Sequence, residues 1–421
     1  MKNKILAFNL NNPLLSGSFL MVGGTFAINI INYLYHLIMG RLLGPSEYGV
    51  LASLFSILYI ISVVPASASI SIVKFISEAK TESEIAKVYK TIKRFVVRFA
   101  FVSSIAFFLI GPFVAKFLHI DNVINVLIIA PVVFLSLVSL MFQSTLQGRL
   151  RFWGVVGPNL TSSVFKFVLG ILFVMLGLKA LGAMLGILIA SGLAALYGYY
   201  LIKGFEVVYV KKLDFDLKPF FKYSLPVLLH SLSFTFIFTF DVILAKHYLS
   251  AQDAGIYAAL STLGKIIYFA SGPVASVMFP IVSGKKARQE DYGKVFCLSL
   301  FVTLLISFSA LFFYYLFPEF SIRMLYGESY LLASDYLFKM GLYMSFYTYA
   351  YFFVNFMLSI NKTNTVVFPI LGVLIQVWYI FINHTSISDI INASLFASIF
   401  ILLGSILYAQ LLVSGVKNYV K

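Results

Sequence analysis

The chain has 421 residues, 61% of them hydrophobic and 11% charged, with a formal net charge of +15. That balance excludes a soluble globular domain, and a basic excess gathered on one side of a membrane protein is the ordinary topological signal rather than a sign of nucleic acid. The one cysteine, Cys297, can close no internal disulfide and has no partner for a metal site, so neither a metal nor a cofactor is expected.

Apolar runs of about 20 residues bounded by charges predict twelve transmembrane helices, near 14–40, 50–73, 95–116, 123–146, 154–178, 180–202, 220–246, 254–280, 295–317, 330–359, 363–383 and 390–413. Six fall in each half. The expectation is an all-α membrane protein of two six-helix lobes, residues 1–202 and 220–421, joined by a polar linker at 203–219. Lys2 and Lys4 precede the first run without a convincing cleavage pattern, so that run reads as a retained helix and not a leader. Thr81-Glu-Ser-Glu84 reads as a capping box. The apolar positions Ile85, Val88, Tyr89, Ile92, Val96 and Phe99, with lysines between, predict an amphipathic helix anchored on the lipid surface and running into the third span.

Lysine and arginine number 23 on the side holding the N-terminus and six on the other, with Lys166 and Lys265 inside spans. This predicts a multi-pass protein of the cell membrane with both termini cytoplasmic. No external loop is long enough for a catalytic domain.

Between the first two spans lies Arg41-Leu-Leu-Gly-Pro-Ser-Glu-Tyr-Gly-Val-Leu-Ala52. An offset of 206 residues lays it on His247-Tyr-Leu-Ser-Ala-Gln-Asp-Ala-Gly-Ile-Tyr-Ala258, matching Glu47 to Asp253 and Gly49 to Gly255. The same register maps Ser77-Glu-Ala-Lys80 onto Ser283-Gly-Lys-Lys286, which argues for a duplicated unit and parallel repeats. Pro45 cannot continue the first helix, and Gly44 and Gly49 relax the backbone on either side of it. The expected result is a tight non-helical turn, with Glu47 able to cap the second span. Pro65 and Pro273 fall at nearly equivalent places in the two repeats and are candidate bend points, static kinks being the alternative.

No nucleotide-binding glycine loop, metal-ligand cluster or intramembrane carboxylate pair is present, so the chain is not expected to be an enzyme. What stands out are charges within spans, each costly unless paired or wet. Lys166 lies roughly 18 Å and Lys265 roughly 15 Å from the outer ends of their spans, both near the midplane. No acid in any span suggests itself as a partner for Lys166, which favours a water-filled cavity. Asp241, about 9 Å deep, makes an ion pair with Lys265 one reading and substrate contact by that lysine the other. His36 is a titratable group that could serve proton coupling.

The twelve spans, the two six-helix halves and above all the Arg-Leu-Leu-Gly-Pro-Ser-Glu-Tyr-Gly segment resemble the polysaccharide flippase family of the multidrug/oligosaccharidyl-lipid/polysaccharide transporter superfamily, over essentially the whole chain. The resemblance implies a V-shaped pair of lobes around a central cavity, moving lipid-linked oligosaccharides to the outer leaflet by alternating access. On that footing Lys166 and Lys265 are candidate contacts for a lipid pyrophosphate, since lysine is a point-charge partner for phosphate. Arg41 and Lys74 become candidates for the cavity rim, with snorkelling to lipid headgroups the alternative. Drug exporters of the superfamily tend to carry a carboxylate in the first span. Here that span has Asn29, Asn32 and His36 instead, which leaves the coupling ion open between H+ and Na+. Besides the lipid-linked substrate, membrane lipids are the expected partners and nucleic acid is not. A drug or peptidoglycan-precursor exporter of the same superfamily is the first alternative, and a multi-span glycan polymerase or acyltransferase the second.

Overall fold

The computed structural model describes residues 13–203 and 218–419, and the side chains of residues 20–203 and 228–410. Lys2, Lys4 and residues 204–217 of the expected linker lie outside the described residues. Thirteen α-helices are described, in the order α1 Pro13–Glu78, α2 Glu82–Phe117, α3 Ile124–Leu127, α4 Ile129–Gly148, α5 Trp153–Phe173, α6 Lys179–Ile202, α7 Lys218–Tyr248, α8 Ala251–Ala287, α9 Gly293–Leu316, α10 Pro318–Leu325, α11 Ser334–Ser359, α12 Val367–Ile382 and α13 Ile387–Tyr419. No strand occurs among the described residues. Nine helices among them are long and apolar enough to cross a membrane, the longest being Leu20–Glu78 and Trp153–Ile202. The chain is a multi-pass membrane protein.

The expected turn after the first span shrinks to one residue. Gly44, at φ 69° and ψ 173°, is the non-helical point inside α1, and helix resumes at Pro45. A positive φ is what a residue without Cβ adopts at little cost. Proline then suits the first helical position, where its missing N–H costs nothing. Ser250, the residue matched to Gly44 by the repeat, is the N-cap of α8, and its hydroxyl accepts the Asp253 amide. Both copies of the motif therefore mark a helix start. Helix continues through Pro65 in α1 and through Pro273 in α8.

Contacts divide the chain into two units, Met1–Leu42 with Ile61–Leu228, and Leu43–Ile60 with Leu229–Lys421. In the first, Thr81 accepts from the Glu84 amide at 3.2 Å, and the Glu84 carboxylate accepts from the Lys80 amide at 2.8 Å, so a cap opens α2 as expected. The apolar face of α2 turns to protein, not to lipid. Val88, Tyr89, Ile92 and Val96 are buried against Ile72, Ile76, Met141, Phe142 and Ile202. A surface anchor is thus the wrong picture for these four residues, because α1, α4 and α6 offer them an apolar surface of their own. Arg149 adds two parallel 2.7 Å hydrogen bonds to Glu82, tying the far end of α4 to the start of α2. Helices α5 and α6 pack closely, with Gly177 at φ 86° in the turn between them.

In the second unit α11 packs on α8, α9 and α13. Gly49 and Gly255, the pair matched by the repeat, lie against each other: a Cβ on Gly49 would stand 3.0 Å from the Gly255 nitrogen, and one on Gly255 would stand 1.8 Å from the Pro45 carbonyl oxygen. This is the close backbone approach that small residues permit between membrane helices. Beside it Tyr48 is fully buried, its hydroxyl 3.1 Å from Thr262 Oγ1 and 3.3 Å from the Tyr326 hydroxyl. Many buried hydroxyls satisfy themselves within their own helix. Ser56, Thr145, Ser307, Thr348 and Ser398 each donate to the carbonyl four residues back.

Candidate functional site

In the first unit, α5 places Lys166 eleven residues before the Gly177 break, about 16 Å along the helix. Its ammonium donates to Asn32 Oδ1 at 2.7 Å and stands 4.8 Å from the centroid of the Tyr35 ring. Asn32, Tyr35 and His36 occupy positions i, i+3 and i+4 of α1 and so share a face. The His36 ring meets Tyr35 edge-on, with centroids 5.9 Å apart. Gly170, one turn beyond Lys166, leaves the room Tyr35 fills, since a Cβ there would lie 2.8 Å from the tyrosine ring. An amide oxygen and an aromatic face orient the ammonium. Asn32 was legible only as a polar residue in a span, and Tyr35 carried no signal beyond its spacing.

In the second unit, Lys265 lies 14 residues into α8, about 21 Å from its start. Its ammonium stands 4.4 Å from the Phe238 ring centroid. Asp241 is fully buried, with one oxygen accepting the Tyr257 hydroxyl at 2.8 Å and the other the Val242 amide at 2.8 Å. Among the described residues no ion pair joins Asp241 to Lys265. Antiparallel geometry explains the partners. The residue nearer the turn on α7, Asp241, meets the nearer residue on α8, Tyr257. The more distant Phe238 meets the more distant Lys265. Around them Tyr343 donates to the Ile237 carbonyl at 2.8 Å, and Gln376 donates to the same carbonyl at 3.1 Å and to Ser394 at 2.9 Å. Tyr257→Phe leaves one oxygen of a buried carboxylate without its donor, so a stability loss of about 1–3 kcal/mol is expected. Asp241→Asn presents an N–H where a donor already points and should lower protein abundance. Melting curves and membrane yields of both variants matching the parent would contradict this account.

The remaining candidates are dispersed. Arg41 is exposed, three residues before the Gly44 break. Lys74, half-buried near the end of α1, stands 5.9 Å from the ring centroid of Phe75. Pro65 lines an apolar cleft, and Pro273 is exposed on α8.

A multidrug resistance MATE family transporter of the MOP superfamily, in its inward-facing conformation, superposes with a TM-score of 0.73 at 14% identity, covering 91% of this chain and 95% of that one. The lipid II flippase MurJ, inward closed, gives 0.73 at 16% identity over 93% and 87%. A MOP superfamily transporter from Pyrococcus furiosus, for which the reversed polarity of its binding pocket suggests a different function, gives 0.63 at 14% over 99% of both chains. Similarity at this identity establishes a fold shared with these transporters. No curated protein matches the chain. The model of the polysaccharide biosynthesis protein family matches residues 38–335, well over half the length. The chain belongs to that family.

Proposed function

We propose that this protein flips a lipid-linked oligosaccharide from the cytoplasmic to the outer leaflet by alternating access. The observation that carries the reading is the Lys166 ammonium, placed deep in a span where it meets the Asn32 amide oxygen and the Tyr35 ring. A lipid pyrophosphate is the kind of anion such a group attracts. Lys265 supplies a second midspan ammonium in the other unit, and Arg41 and Lys74 serve nearer the span ends. The family match to polysaccharide biosynthesis supports the sugar-bearing substrate.

Twelve passes in two six-helix lobes, residues 1–202 and 220–421, joined by the 203–219 linker, belong to the same proposal. Support comes from lengths: Leu20–Glu78 has 59 residues and Trp153–Ile202 has 50, each far more than the ~20 one crossing needs, and they carry breaks at Gly44 and Gly177. In this reading α11 makes the remaining pass, both termini are cytoplasmic and the bilayer is the cell membrane. Pro65 and Pro273 bend as the lobes rock. His36 and Asp241 are the groups through which H+ or Na+ would couple to the cycle.

A deletion strain that still makes the glycan should accumulate lipid-linked oligosaccharide on its cytoplasmic leaflet, measured by leaflet-selective labelling of extracted lipid intermediates. A strain with normal outer-leaflet glycan and no such accumulation would overturn the assignment.

A further inference from the structure

In the second unit, α9 carries exposed apolar side chains at Leu298, Phe301, Leu305, Phe308, Phe312 and Tyr315. They recur at alternating intervals of three and four residues and so form one stripe along the helix. On a helix long and apolar enough to cross a membrane, such a stripe is a surface for acyl chains. It does not end with the span. Helix α9 stops at Leu316, and Phe317, at φ −130° and ψ 50°, leads the chain into the eight residues of α10. There Phe317, Phe320 and Met324 are 49, 56 and 59% exposed, at spacings that put them on one face and continue the stripe of α9.

Helix α10 has two other faces. Glu319 and Arg323 are exposed on the next, where Arg323 pairs with Glu328 at 3.0 Å. Ser321 and Ile322 are buried on the third, as α10 packs on α9 and α11. Length and backbone decide how deep such a helix can sit. Eight residues make about 12 Å, under half of the ~30 Å hydrocarbon core. The helix is bounded by non-helical backbone at Phe317 and at Gly327, the latter at φ 93°, and lipid-exposed backbone of that kind does not occur within the hydrocarbon. Headgroup level meets both conditions, and there the apolar face reaches roughly 5–10 Å into the boundary with the acyl chains.

We propose that α10 is a lipid-surface anchor in the leaflet where α9 ends, with Phe317, Phe320 and Met324 sunk among the upper acyl chains and Glu319 and Arg323 turned to water. Lipid and not a second copy of the chain covers this face, since three side chains fall far short of the ~800 Å² per partner that a stable dimer buries. The anchor also holds the motif that follows Gly44. Tyr326, the residue after α10, and Tyr330 pack their rings on Tyr48 with centroids 5.7 and 6.4 Å away, and the Tyr326 hydroxyl is 3.3 Å from that of Tyr48. The leaflet surface thereby sets the depth of the helix that resumes at Pro45.

The test uses the full chain in phosphatidylcholine vesicles, with Phe320→Trp as reporter in a Trp153→Phe/Trp378→Phe background. Glu319→Trp, on the charged face, and Leu305→Trp, midway along α9, serve for comparison. Bromines near the top of the acyl chain should quench Phe320→Trp about three-fold more than bromines near its foot, with the reverse order for Leu305→Trp, because the face of α10 lies at the headgroup boundary. Iodide in the buffer should quench Glu319→Trp about five-fold more than Phe320→Trp, because an aqueous ion does not reach a face sunk below the headgroups. Melting temperatures near that of the parent show that each reporter protein is folded, and Met324→Trp replaces Phe320→Trp if that one is not. Equal iodide quenching of Glu319→Trp and Phe320→Trp would put the face in water. Stronger quenching of Phe320→Trp by the deep bromines would put it in the hydrocarbon core, and shielding from both quenchers would mean that protein covers it. Each of these three results would overturn the proposal.

Discussion

Lys166→Ala is expected to abolish complementation of a flippase-deficient strain while leaving the protein at near-parental abundance. The ammonium is half-buried and meets Asn32 and the Tyr35 ring, so truncation removes one charge-assisted hydrogen bond and one cation–ring contact without opening a void in a tightly packed core. Loss of a charged hydrogen bond to a substrate phosphate is worth about 1.5–3 kcal/mol, or roughly 10- to 100-fold in flux. Two further variants separate charge from shape. Lys166→Gln keeps a donor for Asn32 but no charge and should fail like alanine, whereas Lys166→Arg keeps the charge and should retain part of the activity. Full complementation by the alanine or glutamine variant would remove Lys166 from the substrate path. Loss of abundance in both would recast it as a folding residue.

The second large effect falls on Gly255. A Cβ built there stands 1.8 Å from the Pro45 carbonyl oxygen and 2.3 Å from its carbon. Both are backbone atoms that no rotamer change can move. The helices must part, with loss of packing along the contact and around the buried Tyr48 hydroxyl. Overpacking typically costs 1–3 kcal/mol, so Gly255→Ala should cost about 3 kcal/mol or more and Gly255→Val should leave little folded protein. At Gly49 the nearest atom to a built Cβ is 3.0 Å away, so Gly49→Ala should cost only about 1 kcal/mol by the same scale. Size-exclusion profiles and thermal melts of the two alanine variants give the order directly. An equal or reversed order would mean that the two backbones do not meet as described.

The Gly49 and Gly255 match was visible in the sequence as a repeat, but its meaning was not. A fixed offset relates residues that play the same part in two copies, and says nothing of whether the copies touch. On spacing alone the motif's glycines predict a freed backbone. Gly44 does so, at positive φ, while Gly49 lies within helix and serves close approach. Charge and apolar length located Lys166, Lys265 and Asp241 along their helices. Their partners escaped, because helical spacing orders residues along one helix and Asn32 is 134 residues from Lys166. The apolar face of α2 escaped for a different reason. Lipid and protein interior are equally apolar, so an amphipathic pattern shows which face avoids water without showing what that face meets.

The hydrogen bonds of the spans also carry an order in time. A hydroxyl such as that of Ser56 or Thr348, bonded to the carbonyl one turn back, brings its partner with it, so its helix can enter the bilayer already satisfied. Lys166 finds Asn32 on a helix synthesised long before α5 emerges. Asp241 is different: one oxygen takes the Val242 amide of its own helix, but the donor to the other, Tyr257, is 16 residues downstream and comes with the following helix. A charged aspartate costs about 2.5–3.5 kcal/mol to insert at a helix centre and less nearer the end, where Asp241 lies, and α7 bears that smaller cost until α8 arrives. The two helices are therefore best delivered to the membrane as a pair, which makes the α7–α8 hairpin, and not the single span, the unit of insertion at this point of the chain.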